Sequence, residues 1–414
     1  MVQPIGSWTS GRMTSNPRIA LFGQFGIGNL GNDGSLEAMV LAIRRHHPEA
    51  RIYAVCSAPD ALDPGLAVPG ISWTRKELRN PVLRWLNGTA LRIPYKLLGP
   101  IRARRILRRF DALIIPGTGI LDDFGERPRG VPFVIFKWAL AARLAGCPFA
   151  MVSIGAGPIH RRLSRFFMLT ASRYAHFLTF RDEPSRDFAR RHHVPVSADD
   201  VFPDLAFGLP IPERASWPPA NAPVLGLGVM RYRGWTNDDG GIYQAYIGKL
   251  ARFAIAMLQQ GYRIRLMIGE DADEEAVEAL RTTIAEQGAR GLLASVEYMP
   301  ARSLGDVMEQ MARVDVAVAT RFHNVVCALM AGTPVISLSY GSKNDVLLQD
   351  MGLGAFTSHV ERFELGWLED RVKTLMAERE EHALRIAERV EAYRDRLASQ
   401  EKRMFSALRL SEAH

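Results

Sequence analysis

The residues best suited to chemistry lie in Val314-Asp315-Val316-Ala317-Val318-Ala319-Thr320-Arg321-Phe322-His323-Asn324. An apolar run ends, and a guanidinium and an imidazole follow at once where a helical pattern begins. Arg321 offers a planar fork that matches carboxylate or phosphate oxygens. His323 can give or take a proton near neutral pH. A helix N-terminus behind them adds partial positive charge. The combination predicts an anion site containing an acid/base group. A lone His is more often a core residue, but this one stands at a strand end beside an Arg. The next apolar run ends in Ser339-Tyr340-Gly341-Ser342-Lys343, so Lys343 falls on the adjacent rim as a further anion contact.

Four Gly-rich or charged turns follow apolar runs in the first half. The opening turn is Gly23-Gln24-Phe25-Gly26-Ile27-Gly28-Asn29-Leu30-Gly31-Asn32-Asp33-Gly34. It could cradle a phosphate, grip a sugar, or serve only as a turn. Gly26 to Gly31 fits the dinucleotide spacing, but no acidic residue closes the second strand, where a ribose ligand belongs. Gly117-Thr118-Gly119-Ile120-Leu121-Asp122-Asp123 brings two carboxylates. Either could orient or deprotonate a hydroxyl, or cap a helix. Gly155-Ala156-Gly157-Pro158 and Phe180-Arg181-Asp182-Glu183-Pro184-Ser185 complete the set. Asp182 reads as a helix cap, which leaves Arg181 to face a cleft or pair with an acid.

These turns need a scaffold that carries them at strand ends. Strand patterns at Arg18–Gly23, Arg51–Ser57, Ala112–Pro116, Phe149–Ile154 and Phe177–Arg181 alternate with helical patterns such as Ser35–His46 and Phe133–Ala145. Continuous apolar strands between helices predict a parallel sheet covered on both faces. After a Pro-rich linker at residues 209–223 the alternation restarts. Its strands are Val224–Met230, Arg263–Ile268, Val314–Ala319 and Pro334–Ser339. The fold class expected is α/β, with two Rossmann-like doubly wound domains facing a cleft: residues 17–208, then 224–363. Residues 1–16 read as a polar tail without an apolar secretory core, and 364–414 as a helical segment crossing back to the first domain.

A chain of 414 residues, 47% apolar and 23% charged, suits two hydrophobic cores. Cys56, Cys147 and Cys327 sit in apolar stretches without metal spacing, and read as buried thiols of a reducing, cytoplasmic compartment. No apolar stretch is long enough to span a bilayer. The net charge of +8 is uneven: Thr74 to Phe110 holds eleven Lys/Arg and one acid, Glu77, interleaved with apolar residues. That pattern reads as a solvated helical face or as a surface for an anionic membrane. No nucleic-acid motif accompanies it, and none is expected as a partner.

Together the turns resemble the polysaccharide pyruvyl transferase family. The resemblance is carried by Gly28-Asn29-Leu30-Gly31, Gly117-Thr118-Gly119, Ile154-Gly155-Ala156-Gly157-Pro158, Arg181-Asp182-Glu183-Pro184-Ser185, Pro203-Asp204, Thr320-Arg321-Phe322-His323 and Ala331-Gly332-Thr333-Pro334, in that order, from about Arg18 to Gly352. Two departures are Asn32-Asp33, where the family has Asp-Glu, and Thr118 in a usual triple glycine. The resemblance implies a GT-B-like fold, phosphoenolpyruvate as donor, and a sugar or lipid-linked glycan as acceptor; with no carboxylate cluster in a metal-site pattern, neither metal nor cofactor is expected. It implies donor contacts from Arg321 and His323; the positions of Lys343 and Arg181 after strands add them as further donor contacts. Acceptor contacts would come from Gly26, Gly28, Asn29, Asp33, Thr118 and Asp122. His323 would be the general acid, Arg321 would grip the donor, and Asp123 would be the base. Two other readings are a glycosyltransferase using a nucleotide sugar, with Glu270 or Asp271 on the ribose, and a non-catalytic glycan-binding protein.

Overall fold

The computed structural model describes residues 16–73, 92–123, 126–213, 222–234 and 241–410; for residues 92–98 it describes the backbone alone. The N-terminal tail, most of the basic stretch from Arg75 to Leu91, and residues 214–221 of the Pro-rich linker lie outside the described residues. The first half runs β1 (Arg18–Phe22), α1 (Leu30–His46), β2 (Arg51–Cys56), β3 (Gly70–Ser72), α2 (Arg92–Leu107), β4 (Ala112–Pro116), α3 (Val131–Ala145), β5 (Phe149–Ile154), α4 (Arg162–Arg173), β6 (Phe177–Phe180) and α5 (Glu183–Arg191). The second runs β7 (Val224–Gly228), α6 (Ile242–Gln259), β8 (Arg263–Met267), α7 (Glu274–Ile284), β9 (Val296–Tyr298), α8 (Leu304–Met311), β10 (Val316–Ala319), α9 (Phe322–Met330), β11 (Val335–Ser339), α10 (Ser342–Asp350) and β12 (Thr357–His359). Two helices close the chain, α11 (Leu365–Ala377) and α12 (Arg379–Ala407).

Each half builds a six-stranded parallel sheet. The orders are β3-β2-β1-β4-β5-β6 and β12-β11-β10-β7-β8-β9, the same winding twice. Chain direction across the sheet reverses between β1 and β4, and again between β7 and β10. Ligand crevices open beyond the carboxyl ends of strands at such reversals. The loops after β1, β4 and β10 are therefore the ones already singled out for their chemistry. Every residue of β4, β5, β7, β10 and β11 is buried, which explains their unbroken apolar runs.

Three short edge strands, β3, β9 and β12, carry no sequence pattern long enough to announce them. Each has three residues, too few for a period of two to show. The C-terminal segment is two helices rather than one, with a break at Glu378, which leaves helical geometry.

Alternation along β1 divides the cores. Ala20 and Phe22 face a cluster confined to the first half, with Trp138 and Met168. Ile19 and Leu21 face a second cluster that continues through Leu205 and Phe207 into the second half and reaches Met404 of α12. The terminal helix thus crosses back onto the first sheet. Gln400, 1% exposed, donates to Ser153 Oγ at 3.0 Å and to Thr179 Oγ1 at 2.7 Å. Its neighbour Glu401 accepts from Arg45 at 2.7 Å and contacts His46 at 3.0 Å on α1. A Gln400→Leu change would strip these buried hydroxyls of their partner. It should cost about 1–3 kcal/mol, read as a lower urea midpoint; an unchanged midpoint would show that the helix is held by apolar packing alone.

Candidate active site

The opening loop closes directly onto the second half. Leu30 N–H donates to the Gly269 carbonyl at 3.2 Å, and Asp271 N–H donates to the Gly28 carbonyl at 2.9 Å. Asn29 and Glu270 thereby form an antiparallel bridge between lobes. Asn29 also caps α1, its side chain accepting from Asn32 N–H at 3.2 Å. Gly28 has φ of +80°, and a Cβ there would meet the Asp271 carboxylate at 2.5 Å. Gly26 turns with φ of +69°, its N–H bonded to Asp33 Oδ1 at 2.8 Å. A Cβ on Gly31 would lie 2.0 Å from His323 Nδ1. Gly28 and Gly31 thus let the two lobes approach, whereas Gly26 packs against Ala58 and Ala61 of its own half.

Arg321 does not present an empty fork. Its Nε and one terminal nitrogen bond both oxygens of Asp273 at 2.8 and 2.7 Å. Its other terminal nitrogen lies 2.7 Å from Glu270. Asp273 is wholly buried, and also accepts from Arg231 N–H at 2.9 Å. A buried carboxylate needs such a partner. Three of its five N–H groups thus serve its own acids, and it anchors the turn that carries His323, where a direct grip on the donor was expected.

His323 faces the gap. Its ring lies over Gly31, its side chain is 16% exposed, and its Nε2 is 3.7 Å from Asp204 Oδ1. Burial alone would raise the Asp204 carboxyl. The neighbouring His323 and Arg181, with the Ala206 N–H, overcome that and hold it at about 2. Arg181 arrives from the first half, 3.5 Å from Asp204 and 3.5 Å from Asp182. Its guanidinium stacks on the Phe322 ring at 4.6 Å, where Lys343 Nζ also approaches at 5.8 Å. Lys343 donates to the Tyr340 hydroxyl at 2.8 Å. Burial raises the Tyr340 phenol, but Lys343, Arg321 and Arg181 outweigh burial and hold it below its ordinary value of 10.0. Arg181, Lys343, His323 and Tyr340, drawn from both lobes, therefore converge around Phe322.

The two carboxylates after β4 separate. Asp123, 6% exposed, accepts the backbone N–H groups of His160 at 3.0 Å and Arg161 at 2.9 Å. It holds that loop, with one backbone N–H on each oxygen of the carboxylate expected as base. Asp122 lies with Arg181: a Cβ on Gly119 would be 3.3 Å from Asp122 Oδ2 and 3.7 Å from Arg181 Nη2. Thr118, buried at φ of +70°, accepts from Gly155 N–H at 2.8 Å and fixes the turn beside them. Sequence reasoning missed Tyr340 and Asp204 as site residues. The signals were a Tyr three residues before Lys343 and an Asp after Pro203. The contact between Asp204 and His323 spans 119 positions and no local pattern reports it.

Among the described residues no group of three His, Cys, Asp or Glu is placed to hold a metal, and no helix is long and apolar enough to cross a membrane. The three cysteines are buried, and burial pushes the Cys56 thiol up to about 11 and Cys147 to about 12.

Two twin-wound sheets with the chemistry at their facing strand ends define a GT-B-like enzyme fold. Solved structures agree. The chain is similar to a UDP co-structure of MnaA from S. aureus, with a TM-score of 0.61, 10% identity, and coverage of 95% of this chain and 98% of that one. A putative UDP-N-acetylglucosamine 2-epimerase from Listeria monocytogenes gives 0.59 at 10% identity, covering 95% and 96%. The glycosyltransferase SnogD from Streptomyces nogalater gives 0.52 at 15% identity, covering 95% and 99%. At these identities the likeness is one of fold. No curated protein sequence matches. The family model described as polysaccharide pyruvyl transferase matches residues 29–342, from the interlobe loop to the turn before Lys343. The chain belongs to the polysaccharide pyruvyl transferase family, whose members are transferases that modify polysaccharides.

Asp33, in the first turn of α1, is raised from 3.8 to about 6, chiefly by burial and then by Asp271 and Asp63, against the Gly26 N–H that lowers it. A carboxyl raised in the fold binds its proton more tightly there than when unfolded. Its stabilising contribution is present below about pH 4 and is lost as pH rises through 6. An Asp33→Asn protein should therefore be more stable than wild type at pH 7.5, by on the order of 1–3 kcal/mol, and should melt with the wild type at pH 3.5. A lower melting temperature at pH 7.5 would contradict the burial argument.

Proposed function

We propose that the protein transfers a pyruvyl group from phosphoenolpyruvate to a pair of sugar hydroxyls of a polysaccharide or lipid-linked glycan, forming a ketal and releasing phosphate. The observation that carries this reading is the convergence of Arg181 and Lys343, from opposite lobes, beside His323. A donor with a carboxylate and a phosphate needs two separate cations, and a closed cleft supplies them. Arg181 and Lys343 would hold the donor anions, with Arg321 fixing the turn. His323 would deliver a proton to the methylene carbon while one hydroxyl adds to the central carbon. Phosphate then leaves, and the second hydroxyl closes the ring as its proton passes to the departing phosphate. Asp122, beside Arg181, is the carboxylate suited to take the first hydroxyl proton.

Glu270 and Asp271 were the candidates for a nucleotide ribose. Glu270 is paired with Arg321, which weighs against its use on a nucleotide ribose. The acceptor site sits in a chain with a strongly basic first half, which favours glycans presented at an anionic membrane. The test is phosphate release together with phosphoenolpyruvate-dependent mass gain on a glycan panel. His323→Ala should lower the rate by about 10²–10⁴ while melting close to wild type. Near-full phosphate release by that variant, or turnover of a UDP-sugar instead, would overturn the proposal.

A further inference from the structure

The helices α2, α3 and α4 pack side by side, and their sequences contain no acid at all. They carry five, two and three Lys/Arg, ten in all. The whole chain has a net charge of +8, so everything outside these three helices is net negative by two. Arg102, Arg105, Arg143, Arg162 and Arg173 of these helices are exposed, so the layer presents a cationic face. That face is also where apolar side chains reach solvent. Eight large apolar residues are exposed among the described residues, and four of them lie here: Ile101, Leu144, Leu163 and Phe166.

Phe166 is 57% exposed and Leu163 47%, one helical turn apart on α4. Phe166 is supported rather than loose, with ring contacts to Phe136 at 6.1 Å and Phe167 at 5.8 Å. Arg162 and Arg165 flank it on the same helix, and Arg104 ties α2 to the end of α3 by donating to the Leu144 carbonyl at 2.9 Å. The surface is thus firm and cationic, with aromatic and aliphatic groups raised above it. Arginines that pair with lipid phosphates around an inserted aromatic ring have this composition. A nucleic-acid duplex would use the cations but leave Leu163 and Phe166 against water, and a single strand could stack on Phe166 but not cover Leu163, Leu144 and Ile101.

We propose that the α2–α3–α4 face docks on an anionic lipid bilayer, with Phe166 and Leu163 entering the headgroup layer. Helices in this winding run opposite to the strands, so the N-terminal turns of α4 lie at the strand ends that carry Asp122 and Arg181. Docking would bring the mouth of the cleft to the membrane plane. The inference is separate from the pyruvyl-transfer reading, because sedimentation needs no donor and either can fail alone.

The full chain should sediment with phosphatidylglycerol-containing vesicles at low salt and not with pure phosphatidylcholine. Arg102→Glu, Arg105→Glu and Arg162→Glu together should lower the partition coefficient by more than ~tenfold. Leu163→Ser with Phe166→Ser should lower it several-fold while the melting temperature stays near wild type. The proposal is overturned if anionic vesicles fail to bind the chain, or if both sets of variants bind as wild type. It is equally overturned if the variants lose binding to a single-stranded RNA probe that the vesicles never competed for.

Discussion

The arrangement depends on how the opening loop meets the second half: two backbone hydrogen bonds join Gly28 and Leu30 to Asp271 and Gly269. They are possible because glycine lets the first loop approach without side chains in the way. Once made, they bring Gly31 under His323 and set the strand ends of both sheets facing each other. Arg181 and Lys343 belong to sheets that share no strand. Closure brings Arg181 of the first half to the ring of Phe322, which already lies beside Lys343 in the second. The crossing of α12 onto the first sheet supports the same closure from behind, through Gln400 and Glu401.

Electrostatics then divides labour among the cations. Arg321, the most prominent in sequence, is spent on the buried carboxylate of Asp273 and on Glu270. Removing it would leave Asp273 buried and unpaired, at a cost of about 3–5 kcal/mol, so its loss would read as misfolding. Arg181 and Asp204 behave differently. Asp204 is held anionic at about 2 by His323 and Arg181 despite burial, with its Oδ1 3.7 Å from the imidazole Nε2. Lys343 and Tyr340 form the outer pair, with a phenol eased toward ionisation by the surrounding cations.

Much of the frame was legible in the sequence. Buried strands such as β4 and β10 print as continuous apolar runs, and the loops after them print as glycines and charges. The fold class followed from that alternation alone. What the sequence concealed was partnership. Nothing local distinguishes Asp122 from Asp123, yet one sits beside Arg181 and the other is consumed by two backbone N–H groups of residues 160 and 161. Arg321 reads as an anion clamp until Asp273, 48 positions earlier, is seen to fill it. The three-residue edge strands escaped because a period of two needs more residues to appear.

The central claim is that a doubly anionic donor is held by cations from both lobes. Calorimetric titration of phosphoenolpyruvate into the wild type, Lys343→Ala and Arg181→Gln proteins tests it most directly. The account predicts measurable binding by the wild type and at least ~tenfold weaker binding in each variant, about 1.4 kcal/mol or more. Wild-type affinity in both folded variants would place the donor elsewhere and contradict the account.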